Sequence, residues 1–239
     1  MTAAPVLHLD DWAPVPAGVS RAGSLYAVPA PLRVRAAHEL TDAGWWVHVD
    51  LIVRPTAAGP DPDTGVTRAE LRRVRDERPD ARLDVHVIDL TPSGPGGGDG
   101  LARVLDDVLP GRPDRVVLPA ARCAPDDPAA RAVRDAGAAL WAEAGAAPPA
   151  AGVDGLLVML IDPGTTQSID LRRLTAVRGA PPGLPVGVAG GVGRDHTTAC
   201  LRAGARHLVS GRALLTPADR PTDHPAGAPP DRTKESERG

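Results

Sequence analysis

The chain has 239 residues, of which 42% are hydrophobic and 24% charged, with a formal net charge of −3. One domain of this length buries a full core, and α/β barrels run to this size undivided. There is no basic field for nucleic acid, no apolar run near the ~20 residues of a membrane span, and no basic-then-apolar leader of an exported chain, so neither nucleic acid nor membrane is expected as a partner.

Residues 1–22 are rich in Pro and Ala and weakly patterned, and read as a poorly ordered N-terminal extension. Ser24–Val28 reads as a first short strand. Leu32, Val34, Ala36, Ala37 and Leu40 recur at helical spacing, with Gly44 as the C-cap. Trp46–Val53 is a short apolar run with β-branched residues, a buried strand. A Pro/Gly loop follows. Thr67 with Glu70 three residues on is a capping-box spacing that opens a helix through Arg78. Leu83–Leu90 is a strand and Pro92–Gly100 a Gly-rich loop; no Gly-Lys-Ser/Thr follows, so it is no Walker loop. Further on, Leu101–Leu109 reads as helix, Arg115–Leu118 as strand, Pro128–Ala139 as helix and Ala139–Ala142 as a short strand. Gly155–Ile161 is the most apolar strand. Asp170–Arg178 is a helix, Val186–Ala189 a strand, Asp195–Ala203 a helix stopped by Gly204, and His207–Ser210 the last strand. Residues 217–239 are polar and Pro-rich, a disordered tail.

Short apolar strands alternating with helices indicate a parallel sheet with βαβ crossovers. The count is close to eight, so the expected fold is a single (β/α)8 TIM barrel over residues 23–216. Cys123 and Cys200 lie far apart without CxxC spacing, which fits a reduced, cytoplasmic setting. The absence of Phe, one Lys against many Arg, and the abundance of Ala, Gly and Pro suggest a GC-rich genome more than a function.

His48 and Asp50 are two apart on a strand and so share a face. His86 ends the next strand. Imidazoles and a carboxylate converging at a barrel mouth suit a divalent metal; the same residues also read as ordinary polar groups at the ends of buried strands. The run Val188-Ala189-Gly190-Gly191-Val192 is a strand ending in a Gly-Gly turn, and Ser210-Gly211-Arg212 ends the last strand. Backbone N–H groups at such turns, with Arg212 beside them, form an anion site; the bland alternative is plain turn glycines and a solvated Arg. Trp45 and Trp46 read as packing residues, and His196 and His207 as surface residues.

Five segments in order resemble the ribulose-phosphate 3-epimerase family: Trp46-Val47-His48-Val49-Asp50, Leu83-Asp84-Val85-His86, Val158-Met159-Leu160-Ile161-Asp162-Pro163-Gly164, Val188-Ala189-Gly190-Gly191-Val192, and Val209-Ser210-Gly211-Arg212-Ala213. The likeness covers roughly residues 24–215 and is poor from about 92 to 150. It implies metal ligands at His48, Asp50 and His86, with Asp50 also an acid/base residue. It implies substrate contacts at Ser24, Met159 and Gly164, and a phosphate site at Gly190, Gly191, Gly211 and Arg212. Where the family has a second catalytic and metal-ligating aspartate, this chain has Ala189. After Asp50 the family's Met-Asp-Gly-His-Phe is here Leu51-Ile52-Val53-Arg54-Pro55. Ile88 replaces a pocket methionine, and the Gly-Phe-Gly-Gly lid is Gly164-Thr165-Thr166-Gln167.

The resemblance implies enediolate chemistry on a phosphorylated or otherwise anionic sugar, with Zn, Fe, Mn or Co held weakly or not at all for want of the fourth ligand. With one base left, epimerisation or isomerisation and an aldolase-type carbon–carbon bond formation, in specialised sugar or nucleoside metabolism, are the competing outcomes. A non-catalytic barrel that binds a sugar phosphate or a protein is the alternative. A small-molecule partner and a homo-oligomer are expected.

Overall fold

A computed structural model describes residues 5–56, 59–90, 98–144, 151–162 and 168–216. Gly164 and the rest of the lid segment, most of the Gly-rich loop and the 217–239 tail lie outside the described residues. The strands are β1 (Ser20–Ser24), β2 (Trp46–Thr56), β3 (Gly59–Gly65), β4 (Leu83–Asp89), β5 (Arg115–Pro119), β6 (Ala139–Glu143), β7 (Gly155–Met159), β8 (Val186–Ala189) and β9 (His207–Ser210). The helices are α1 (Arg33–Asp42), α2 (Arg68–Glu77), α3 (Gly98–Val108), α4 (Pro128–Asp135), α5 (Leu174–Arg178) and α6 (Thr197–Ala203). The parallel order β1-β9-β8-β7-β6-β5-β4-β2 closes through β1 against β2. This is the expected eight-stranded parallel barrel. The ninth strand, β3, is antiparallel to β2.

Local signals explain much of this. Thr67 Oγ1 accepts from Glu70 N at 3.1 Å and the Glu70 carboxylate accepts from Thr67 N at 2.7 Å, so the capping box opens α2 as predicted. Gly44 ends α1 at φ +73°, a conformation few other residues adopt readily. Apolar residues facing outward from the strands pack beneath the helices. A second cluster (Ala22, Val117, Trp141, Leu157, Ala189 and Val209) fills the barrel interior. Trp141 lies across that interior because Gly155 and Gly187 make room. A Cβ at Gly155 would sit 2.3 Å from the Trp141 ring, and one at Gly187 would sit 3.1 Å from it.

Three expectations are corrected. The first strand is Ser20–Ser24, whereas Leu25–Ala27 is a 3₁₀ turn. Leu25 and Val28 are buried as expected, but in the loop packing. Within the strand Gly23 must stay a glycine, because a Cβ there would come within 2.4 Å of Leu40. Second, residues 5–19 are not a loose extension. Val6 and Leu7 N–H groups donate to the Glu39 carboxylate at 2.9–3.0 Å, His8 N–H donates to Leu214 O at 2.8 Å, and Trp12 packs edge-on against Trp45 at 5.6 Å. The segment straps α1 to the turn after β9. Third, the Pro/Gly stretch after Val53 is no simple loop. β2 continues to Thr56 and β3 returns antiparallel to it, a hairpin with a register shift between Ile52 and Arg54.

Candidate active site

Strand register puts the polar side chains together. His48 pairs with Asp84 across β2 and β4, Asp50 pairs with His86, and Ser24 of β1 pairs with His48. The period-two alternation turns Trp46, His48, Asp50, Asp84 and His86 inward, while Val47, Val49, Val85 and Val87 face the helices. His48, Asp84 and His86 are almost wholly buried, and Asp50 is 8% exposed.

Asp50 is the hub. Its Oδ1 lies 3.1 Å from His48 Nε2 and 3.3 Å from His86 Nδ1, and its Oδ2 accepts from Ser24 Oγ at 2.8 Å. One ligand atom from each of His48, Asp50 and His86 lies within 4.8 Å of the others, the one such cluster among the described residues. The backbone is held as well. Val66 N–H donates to Asp50 O at 3.1 Å, and Gly65, at φ +105°, closes over that carbonyl. A Cβ there would approach it to 2.8 Å.

The network reaches below the mouth. His48 Nδ1 is 2.9 Å from Asp84 Oδ2, which also receives His207 Nε2 at 2.9 Å; His207 Nδ1 is 2.7 Å from Ser20 Oγ. On the other side His86 Nε2 meets Glu143 Oε2 at 3.0 Å. Beneath Asp84 the Arg115 guanidinium lies 3.6 Å from its Oδ2 and stacks against Trp141 at 3.7 Å and Trp46 at 4.5 Å.

The electrostatics follow. Burial disfavours the His48 cation, but the carboxylates of Asp50 and Asp84 outweigh it and raise its pKa to about 10. His86 is also raised, the pull of Asp50 and Glu143 overcoming burial. Burial would push Asp50 and Asp84 up, yet the adjacent imidazoles hold both well below the usual carboxylate range. His207 is lowered by burial, aided by Arg115 and His48 and opposed by Asp84.

Ser24, His48 and Asp50 form part of the floor of a cavity of roughly 830 Å³. Ile52, Ile88 and Met159 form its walls, and Gly190, Gly191, Gly211 and Arg212 lie around its rim. Gly190 and Gly191 have φ of +88° and +76°, so the turn after β8 needs glycine at both positions. Every described residue given a ligand, catalytic or substrate role from the sequence therefore lines this cavity except His86, which contacts Asp50. Ala189 lines it too, and adds no donor or acceptor side chain there.

Three residues escaped the sequence reading. His207, expected at the surface, is 1% exposed inside the barrel; the alternation His207/Val209 against Leu208/Ser210 carried that signal. Asp84 was legible as two residues before His86 and thus on its face. Glu143 had no local signal, because it reaches His86 past the intervening strand β5. His196 is half-buried on the cavity wall, where its Nδ1 accepts from Gly193 N–H at 3.1 Å.

No protein-family model and no curated protein sequence matches the chain. Solved structures do. A native KDPGal structure aligns with TM-score 0.54 at 16% identity over 84% of this chain and 86% of that one. KGPDC from Streptococcus mutans in complex with D-R5P aligns with TM-score 0.57 at 14% identity over 83% and 90%. Phosphoribosyl anthranilate isomerase from Thermus thermophilus aligns with TM-score 0.54 at 13% identity over 81% and 88%. At these identities the likeness is one of fold, and that fold is the TIM barrel.

Proposed function

We propose that this protein is an enzyme that removes the proton beside the carbonyl of a phosphorylated or otherwise anionic sugar, with Asp50 as the base. The observation that carries the proposal is Asp50 itself, a carboxylate on the floor of the cavity, held between His48, His86 and Ser24. A buried group locked on three sides keeps one geometry, which is what a proton-transfer residue needs. The glycine turns and Arg212 at the rim supply N–H donors for an anionic end. That a TIM-barrel neighbour was solved with D-R5P supports a sugar phosphate as the substrate class.

Two imidazole nitrogens and a carboxylate oxygen within 4.8 Å, all buried, fit a divalent cation such as Zn, Fe, Mn or Co. His48, Asp50 and His86 would hold it, and it would stabilise negative charge on the substrate oxygens. The chain's own residues do the rest. Asp50 takes the proton, Ser24 keeps the carboxylate oriented, and the apolar Ile52, Ile88 and Met159 limit water around the reacting carbon. Ala189 offers no proton on the opposite face. The enediolate carbon then bonds to the carbonyl carbon of an aldehyde on that side, and the aldehyde's π pair moves to its oxygen. That oxygen takes up a proton from solvent while Asp50 releases the one it removed, an aldolase-type outcome in preference to the proton return of the ribulose-phosphate 3-epimerases.

The deciding experiment is incubation with candidate sugar phosphates in deuterated water. Exchange of the proton beside the carbonyl that requires Asp50 supports the proposal. Turnover of the true substrate that survives Asp50→Asn unchanged would sink it.

A further inference from the structure

Both imidazoles of the Asp50 cluster have a second carboxylate behind them. Asp84 takes Nδ1 of His48 at 2.9 Å, and Glu143 takes Nε2 of His86 at 3.0 Å. The two histidines are thus used in opposite senses, His48 turning Nε2 toward Asp50 and His86 turning Nδ1 toward it. An imidazole on a strand can present either nitrogen, and it is the partner of the other nitrogen that selects tautomer and ring angle. Asp84 is itself fixed from below by His207 at 2.9 Å, which in turn meets Ser20 at 2.7 Å. Glu143 reaches across from β6, and its side chain is a quarter exposed.

We infer that Glu143 and the Asp84–His207 pair are positioning residues for a divalent-cation site, aiming His86 Nδ1 and His48 Nε2 at the ion that would rest on Asp50. The inference rests on the cation reading above and deepens it, assigning three residues that touch neither the ion nor the substrate. It also explains how a site short of one carboxylate, at Ala189, can keep affinity. The two remaining nitrogen ligands are pre-aimed and made more basic by the carboxylates behind them.

Cobalt(II) titration of the purified full chain tests this through the visible absorption of the bound ion, with no turnover needed. Glu143→Gln keeps shape and removes charge, and His207→Gln loosens Asp84 from a distance. Each should weaken Co²⁺ binding by ~10–100-fold and shift the absorption band. Asp80→Asn, 62% exposed in the turn before β4 at the strand end opposite His86, should leave affinity within twofold. Melting of the metal-free proteins separates aim from folding: Glu143→Gln should melt near the wild type while still losing affinity. Glu143→Gln and His207→Gln both binding Co²⁺ like wild type would overturn the inference, as would an equal loss in Asp80→Asn. Wild-type protein that takes up no Co²⁺ overturns it too. Deuterium exchange dependent on Asp50 could still stand in that case, so the two readings fail separately.

Discussion

The two halves of the barrel interior are built from different chemistry. β2 and β4 place His48, Asp50, Asp84 and His86 inside, four ionisable groups on two adjacent strands. β7 and β8 place Gly155, Leu157, Met159, Gly187 and Ala189 there, with no ionisable side chain among them. The charged half is self-consistent: each imidazole lies between carboxylates, so each charge offsets the desolvation of its neighbours. The small half serves packing, giving Trp141 the space to cross the barrel. Among the inward-facing residues of these four strands, ionisable groups are thus confined to β2 and β4; Asp195 and His196 also line the cavity, from the segment after β8. On the function proposed above, a substrate between the halves would meet Asp50 on one face and the Ala189 methyl on the other.

Breaking the charged half should have the largest effect. Asp50→Asn keeps the volume and removes the base, and loss of one acid/base group is worth ~10²–10⁴-fold in rate. Deuterium incorporation followed by NMR is the measurement, and a fall of less than tenfold would refute the role given to Asp50. Next comes the attempt to make the halves alike. Ala189→Asp puts a carboxylate opposite Asp50, and a regained metal ligand should tighten Co²⁺ or Zn²⁺ binding by at least the ~10-fold typical of supporting groups. Calorimetric titration reads this directly, and formation of the C-epimer from a ketose phosphate would show that the second proton carrier is functional. Unchanged affinity would mean that the side chain at residue 189 does not reach the cluster.

The small half is tested through packing. Gly155→Ala sets a methyl 2.3 Å from the Trp141 ring, and overpacking of this kind costs ~1–3 kcal/mol. Urea denaturation should show that loss, and a variant as stable as wild type would mean that Trp141 is free to move aside.

The last test is the pH dependence of the metal-free protein. His48 is raised to about 10 from an ordinary 6.5, so its contribution is complete below pH 6.5 and is lost as pH climbs through about 10. Asp50 and Asp84 are lowered, so theirs is present above the ordinary carboxylate value and lost in acid. His207, lowered by burial, also disfavours the fold as pH falls below 6.5. The denaturation midpoint should peak near neutrality and decline from about pH 7 to 10. His48→Gln should flatten the alkaline limb, and an alkaline limb as steep as wild type would place the titrating group elsewhere.

What was readable along the chain is what short-range geometry dictates. Period two puts His48 with Asp50 and Asp84 with His86 on shared faces, whatever the fold. The Thr67–Glu70 box and Gly44 act through bonds three to five residues long, so α2 and the end of α1 stand where the sequence places them. Alternation of such elements implies a parallel sheet with crossovers, and a strand count near eight points to its closure as a barrel. The first strand differs from the reading because its central residues are Ala22, packed in the barrel interior, and Gly23, kept small by Leu40, neither of which carries strand propensity. The hairpin β2–β3 was missed because Pro60 and Pro62 read as loop, and only pairing with β2 makes the segment a strand. Glu143 reaching His86 past β5, and His207 meeting Asp84 across 123 residues, depend on the tilt and register with which eight strands close. No local pattern encodes those contacts, because closure sets them for the whole sheet at once. The sequence by itself therefore determined which residues could be acid, base and ligand, and the tertiary structure decided which nitrogen of each histidine faces the cluster and what stands behind it.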